Sequence, residues 1–197
     1  MFNKSSWNLI LVNYINPIPY DFIPSLNTIR DEYQCKDYLI DKKIKCELLS
    51  MFEDSKKCSA NISIFSGYRD IKKQITLVNN SIKKKIDKGY SIKDARNLCF
   101  ETLAIPGFSE HHTGLAIDIY SNNDNSFDNT NFENTFAYNW LINNSYKYGF
   151  ILRYPKGKEY ITNITFEPWH FRYVGKEIAK IIYEQKLCLE EFIEKYT

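Results

Sequence analysis

His111 and Asp118 stand seven residues apart in Ser109-Glu110-His111-His112-Thr113-Gly114-Leu115-Ala116-Ile117-Asp118, with a glycine between them and an apolar run around the aspartate. About fifty residues later, Glu167-Pro168-Trp169-His170 places a second histidine three positions after a carboxylate. Two imidazoles and one carboxylate leave one position of a tetrahedral zinc ion open, and a spare glutamate can then act on the water there. The chemistry open to this set is metal-assisted hydrolysis. A turn histidine and a strand-end aspartate alone would need no metal. The conjunction with Glu167 and His170 gives the metal reading its weight.

These side chains have to be positioned by strands and turns. Side chains alternate across a strand, so Leu115, Ile117 and Ile119 share a core face, and Ala116 and Asp118 share the other. The small Ala116 leaves room beside the carboxylate, and Gly114 lets the chain turn so that His111 approaches Asp118. Trp169, Phe171 and Tyr173 alternate with His170 and Arg172; packing the rings inward directs His170 and Arg172 into a common cleft. A regular strand would put Glu167 and His170 on opposite faces. Pro168 supplies the irregularity, because it cannot donate to a ladder. His111 and His112 diverge on an extended chain, so one ion takes one of them, and His112 is expected behind a ligand or at the cleft rim.

With 197 residues the chain reads as a single domain, 1–197. Hydrophobic residues at 44% and charged residues at 25% make it globular, and a net charge of +2 gives no case for a nucleic-acid partner. Lys42-Lys43, Lys72-Lys73 and Lys83-Lys84-Lys85 read as solvated helix faces. The five cysteines are odd in number and show no Cys-x-x-Cys spacing, which fits a reducing compartment. Cys46 and Cys99 fall on apolar helical stripes. Leu9-Ile10-Leu11-Val12 is too short for a signal-peptide core or a transmembrane segment. The chain therefore reads as cytoplasmic as it stands, or as a cell-envelope protein if an export segment has been removed.

Around the motif, the pattern predicts a strand over Leu9 to Val12 and an extended path through Pro17 and Pro19. It predicts a helix from Lys42 to Cys58 and a short strand at Ile62 and Ile64 ending at Ser66-Gly67. Ile71, Ile75, Val78, Ile82 and Ile86 form one stripe of a second helix that Gly89 ends. Ser91 with Asp94 caps a third, through Leu103. Residues 121–135 have the composition of a surface loop. A helix from Glu133 to Tyr148 stops at Gly149, strands follow at Phe150 to Tyr154 and Trp169 to Val174, and Pro155-Lys156-Gly157 forms a turn. Residues 176–196 are helical with a break near Leu187. Few strands and several helices predict an α+β domain with a small antiparallel sheet.

At these residues the chain resembles a known family. Ser109-x-His111-x-x-Gly114-x-Ala116-x-Asp118 followed by Glu167-x-x-His170 is similar to the signature of the LAS group of zinc peptidases, and within it to the VanY-type D-alanyl-D-alanine carboxypeptidases and their dual D,D-dipeptidase/D,D-carboxypeptidase relatives. Further blocks carry the likeness: Leu11-Val12-Asn13 to Pro19, Ser66-Gly67-Tyr68-Arg69 with Gln74, Pro106 to His111, Tyr148 to Pro155 and Glu167 to Gly175. The resemblance implies the LAS/hedgehog-like fold, Zn²⁺ on His111, Asp118 and His170, Glu167 as general base, and Arg69 near the scissile carbonyl. It also settles His111 over His112. Arg69 at a helix start is mildly misplaced against the helix dipole, which favours a role in the site; Gln74 and Ser109 are candidate substrate hydrogen-bonders. His112 stands where glutamine is common in the family, and Asn163 where a turn glycine is usual. The implied substrates are peptidoglycan precursor peptides or D-Ala-D-Ala. A dipeptidase or dual-activity enzyme, a wall-lytic endopeptidase and a non-catalytic zinc-binding module are the alternatives.

Overall fold

The computed structural model describes residues 2–3, 6–123 and 129–197. It is an α+β domain in which a four-stranded antiparallel sheet, β3-β4-β6-β5, carries the motif residues. Its strands are β3 (Ile62–Ser66), β4 (Ala116–Ser121), β5 (Phe150–Leu152) and β6 (His170–Tyr173). A separate hairpin, β1 (Leu26–Asp31) and β2 (Lys36–Asp41), was not foreseen from the sequence. Its turn is built by Asp31, a buried carboxylate that accepts the Tyr33 and Gln34 amides. The alternation of Tyr38 and Ile40 with polar residues was a period-2 signal for it.

One face of the sheet packs Ile117, Ile119 and Phe171 against α1 (Lys45–Lys57) and α4 (Phe136–Asn144) through Leu48, Met51, Trp140 and Leu141. Leu115, Ile117 and Ile119 are buried on that face, as their alternation predicts. A second apolar cluster joins Leu9, Ile151 and Val174 to α6 (Lys176–Gln185) and α7 (Leu189–Tyr196). Two further short helices are α3 (Ile92–Phe100), capped by Ser91, and α5 (Glu159–Thr162), ended by Asn163 at φ 57°. Asparagine therefore takes up the left-handed turn that glycine would occupy.

Several expectations need correction. Residues 9–12 form no strand: the Asn8 and Ile10 carbonyls accept from the Arg172 guanidinium rather than from a sheet partner. Helix α2 (Ile71–Ile86) exists and is capped by Asp70; of its predicted stripe Val78 is buried, whereas Ile71, Ile75 and Ile86 are exposed, and Gln74 is also buried. Helix α3 stops at Phe100 and α4 starts at Phe136, capped by Thr135, before a 3-10 turn at Ser145–Tyr148 closes on Gly149. Cys46 is exposed, whereas Cys99 is buried as expected. The loop expected over 121–135 falls partly outside the described residues; Ser121 ends β4 and 129–134 form a 3-10 helix. No helix among the described residues is long and apolar enough to cross a membrane.

Candidate active site

Strand register brings the two ends of the motif together. Asp118 on β4 pairs with His170 on β6, and residues directly opposite in an antiparallel pair project from the same face. His111 arrives from a 3-10 turn, Glu110–Thr113, ended by Gly114 at φ 74°. A Cβ at Gly114 would lie 2.9 Å from the Asp41 amide nitrogen, so both the dihedral and the close approach call for glycine there. His111 Nδ1 sits 2.7 Å from the Gly67 carbonyl, which turns Nε2 toward Asp118 Oδ2 at 3.3 Å. His170 uses its nitrogens the other way round. Nδ1 lies 3.2 Å from Asp118 Oδ1, and Nε2 lies 3.7 Å from Glu110 Oε2.

The chemistry of this donor set fits a metal ion. One atom each from His111, Asp118 and His170 lies within 4.8 Å of the others, and all three residues are buried. Among the described residues, Asp118 Oδ1 has no hydrogen-bond partner, a costly state for a buried carboxylate oxygen unless a ligand meets it. Two nitrogens and one carboxylate oxygen, with His111's remote nitrogen held by a backbone carbonyl, are the donor types and outer support that zinc takes.

Burial and neighbouring charges shift the titration of each group in the cluster. Burial, then the Arg69 charge, pushes His111 down to about 4. Asp118 is held well below the carboxylate range because His111 and His170 outweigh its burial. Burial would also depress His170, but Asp118 and Glu110 push it up to about 9. Glu167 is raised to about 8, by burial first and by repulsion from Asp118. Its Oε2 stands 3.6 Å from His170 Nδ1. The Pro168-Trp169 turn, in which the His170 amide donates to the Glu167 carbonyl, provides the irregularity that puts both side chains on one side.

Arg69 is buried beside this group, not on the surface. Its Nη1 donates to Gln74 Oε1 at 2.7 Å, its Nη2 to Ser66 Oγ at 3.3 Å, and Nη2 lies 3.7 Å from Asp118 Oδ2. Gln74 donates in turn to the Ala104 carbonyl, so both ends of its amide are engaged in holding Arg69. His112 accepts the Gly107 N–H on Nε2, so its Nδ1 carries the proton and donates to the Arg69 carbonyl at 2.6 Å. It stands behind Arg69 and outside the three-residue group. Ser109 is buried in the cleft wall. Arg172 does not enter the cleft: it lies opposite Ala116, fully buried, and donates to Glu110.

Glu110 is the residue that sequence reasoning missed. It is buried behind His170 and accepts from Arg153 and Arg172 at 2.8 and 2.7 Å. Burial opposes its charge, but Arg153 and then Arg172 hold the carboxyl well below its ordinary range. Two arginines in otherwise apolar, aromatic-rich runs, Phe150 to Tyr154 and Trp169 to Val174, were the available signal that a buried anion must exist.

The site opens into a cleft of about 850 Å³. Its walls run from Glu167, Trp169 and Tyr154 to Lys36 on β2 and to Thr76 and Asn80 on α2.

The sequence model of the VanY family, described as D-alanyl-D-alanine carboxypeptidase, matches residues 37–176. A D-alanyl-D-alanine carboxypeptidase of Enterococcus faecalis is 38% identical over 191 residues, covering 97% of this chain and 67% of that protein. A putative carboxypeptidase, YodJ, of Bacillus subtilis is 41% identical, over 95% of this chain and 67% of its own. Among solved structures, a vancomycin-resistance D,D-pentapeptidase VanY in complex with Zn(II) superposes with a TM-score of 0.85 at 38% identity, covering 95% of this chain and 99% of that one. VanYB in complex with D-alanine-D-alanine gives 0.85 at 37% identity, over 97% and 99%. An LD-carboxypeptidase, LdcB, gives 0.82 at 38%, over 96% and 86%.

Proposed function

This chain belongs to the VanY family of D-alanyl-D-alanine carboxypeptidases, and we propose that it is a zinc-dependent D,D-carboxypeptidase releasing the terminal D-alanine of peptidoglycan precursor peptides. The observation that carries this reading is the convergence of His111, Asp118 and His170 with Glu167 and Arg69 in one cleft. His111 Nε2, an Asp118 oxygen and His170 Nδ1 would hold the ion. Zinc bound there supplies a Lewis acid for the substrate carbonyl and lowers the pKa of water.

Glu167 takes the proton of the attacking water and returns it to the departing D-alanine amine, first base and then acid. Its place in the cleft wall, with Oε2 3.6 Å from His170 Nδ1, suits a carboxylate that acts on water held by the ion. Arg69 keeps its charge and is clamped by Gln74 and Ser66, so its fork meets the developing oxyanion or the substrate carboxylate without reorganising. In this reading Ser109, buried in the cleft wall, hydrogen-bonds the peptide, and Gln74 serves the substrate through Arg69.

The cleft runs from the Glu167 end to Lys36 on β2 and to Thr76 and Asn80 on α2, a groove that extends past the metal-ligand group. That favours the carboxypeptidase over the dipeptidase. The test compares an N-acylated L-Lys-D-Ala-D-Ala peptide, its C-terminal amide, free D-Ala-D-Ala and an N-acylated L-Lys-D-Ala peptide, with zinc content measured in parallel. The first should be cleaved fastest, with one D-alanine released per peptide. Preference for free D-Ala-D-Ala would make the enzyme a dipeptidase, preference for L-Lys-D-Ala an L,D-carboxypeptidase, and efficient cleavage of the amide an endopeptidase.

A further inference from the structure

His170 Nε2 and Glu110 Oε2 are both buried and, among the described residues, both lack a hydrogen-bond partner. They lie 3.7 Å apart. The other carboxylate oxygen, Oε1, already takes Arg153 Nε and Arg172 Nη1, so Oε2 is the one lone-pair face left. The imidazole has used its Nδ1 side toward Asp118 and Glu167. Each orphan is the complement of the other, donor against acceptor, and a shift of under an ångström makes the bond.

We propose that Glu110 is a positioning residue of the metal site, accepting the Nε2 proton of His170 and so fixing the tautomer that leaves Nδ1 for the ion. The inference rests on the reading of His170 as a ligand. Glu110 itself cannot swing away. Arg153 is held by two further bonds to Glu190 on α7, at 2.6 and 2.8 Å. Arg172 is held by the carbonyls of Asn8, Ile10 and Tyr173. Asn13 donates to Glu190 and closes the ring. Asn8, Ile10, Asn13 and Glu190 all lie outside the matched span, 37–176, so these terminal residues support the site from behind.

The test is a zinc competition titration against a chromophoric chelator, with Tm measured in EDTA and with zinc. Glu110→Gln should weaken zinc binding roughly 10–100-fold, the usual consequence of losing an outer-shell partner, and should shrink the rise in Tm that zinc produces. A merely structural Glu110 would instead lower Tm equally in both conditions and leave zinc affinity at the wild-type value, which overturns the proposal. Should Glu110→Gln fail to fold, ¹⁵N spectra of the histidines in the zinc-loaded wild-type protein decide. A His170 Nε2–H shifted strongly downfield, as a bond to a carboxylate requires, supports the proposal, and one at the shift of an unbonded imidazole N–H overturns it. Absence of zinc binding by the wild type would overturn this inference together with the functional reading, whereas equal binding by both proteins overturns this inference alone.

Discussion

Two buried ionic clusters meet at the His170 ring. Behind it, Glu110, Arg153, Arg172 and Glu190 balance two negative charges with two positive ones at 2.6 to 2.8 Å, and the remaining guanidinium donors find carbonyls. In front of it, His111, Asp118, Glu167 and Arg69 are nearly as buried, yet their closest charged approaches are 3.2 to 3.7 Å and Asp118 Oδ1 has no partner. Burial is nearly the same, but the rear pairs are short and closed except at Glu110 Oε2, which faces His170, whereas the front pairs are long. A buried ion network is tolerable when its hydrogen bonds close on one another. The longer front pairs, with Asp118 Oδ1 unpartnered, are what the proposed metal site would use, and the short rear pairs are what would hold it in place.

The sharpest way to break this contrast is Glu167→Gln. Zinc content should be unchanged and turnover should fall roughly 10²–10⁴-fold, since the amide cannot take the proton. Near-normal turnover in the metal-replete variant would move the base elsewhere and leave Glu167 as one more unsatisfied group. Next comes Arg69→Lys. A lysine cannot reach Gln74 and Ser66 together with a planar fork, so kcat/KM should drop by about 1–3 kcal/mol while zinc affinity stays put. If the loss were confined to substrates with a free C-terminus, Arg69 would be reading the carboxylate; loss across blocked and free substrates would place it at the oxyanion.

The smallest effect on catalysis should come from the rear. Glu190→Gln should cost about 1–3 kcal/mol of stability by weakening the bidentate bond to Arg153, with turnover close to wild type. Burial works against the Glu190 charge, but Arg153 dominates and lowers its pKa in the folded protein. Its stabilisation is therefore complete above the unfolded glutamate value, about 4.3, and is lost as pH falls through the folded one. The Tm difference between wild type and variant should be full near pH 7 and shrink steadily below about pH 4. A difference that grows on acidification would show that Glu190 is not held as an anion.

Much of the front cluster was legible in the primary structure because it is written in local terms. Alternation along 115–119 separates Leu115, Ile117 and Ile119 from Asp118 whatever the partner strand is, and Gly114 and Pro168 announce backbone irregularities at their own positions. Helix starts at Ser91 and the stop at Gly149 are local for the same reason: a cap is a bond within one turn of chain. The sequence by itself thus determined which residue types could meet a metal and which faces they would occupy.

What it did not determine is which charges neutralise which. Glu110 finds Arg153 and Arg172 at separations of 43 and 62 residues, and Arg172 takes the Asn8 carbonyl 164 residues away. No periodicity encodes such pairs. They also bear on the misread elements: the Ile10 carbonyl accepts from the Arg172 side chain rather than from a sheet partner, and α2 turns Gln74 onto Arg69 while Ile71, Ile75 and Ile86 stay exposed. Local backbone preferences amount to tenths of a kcal/mol per residue, whereas an unpaired buried charge costs several, so the tertiary structure settles conflicts between them in favour of the charge.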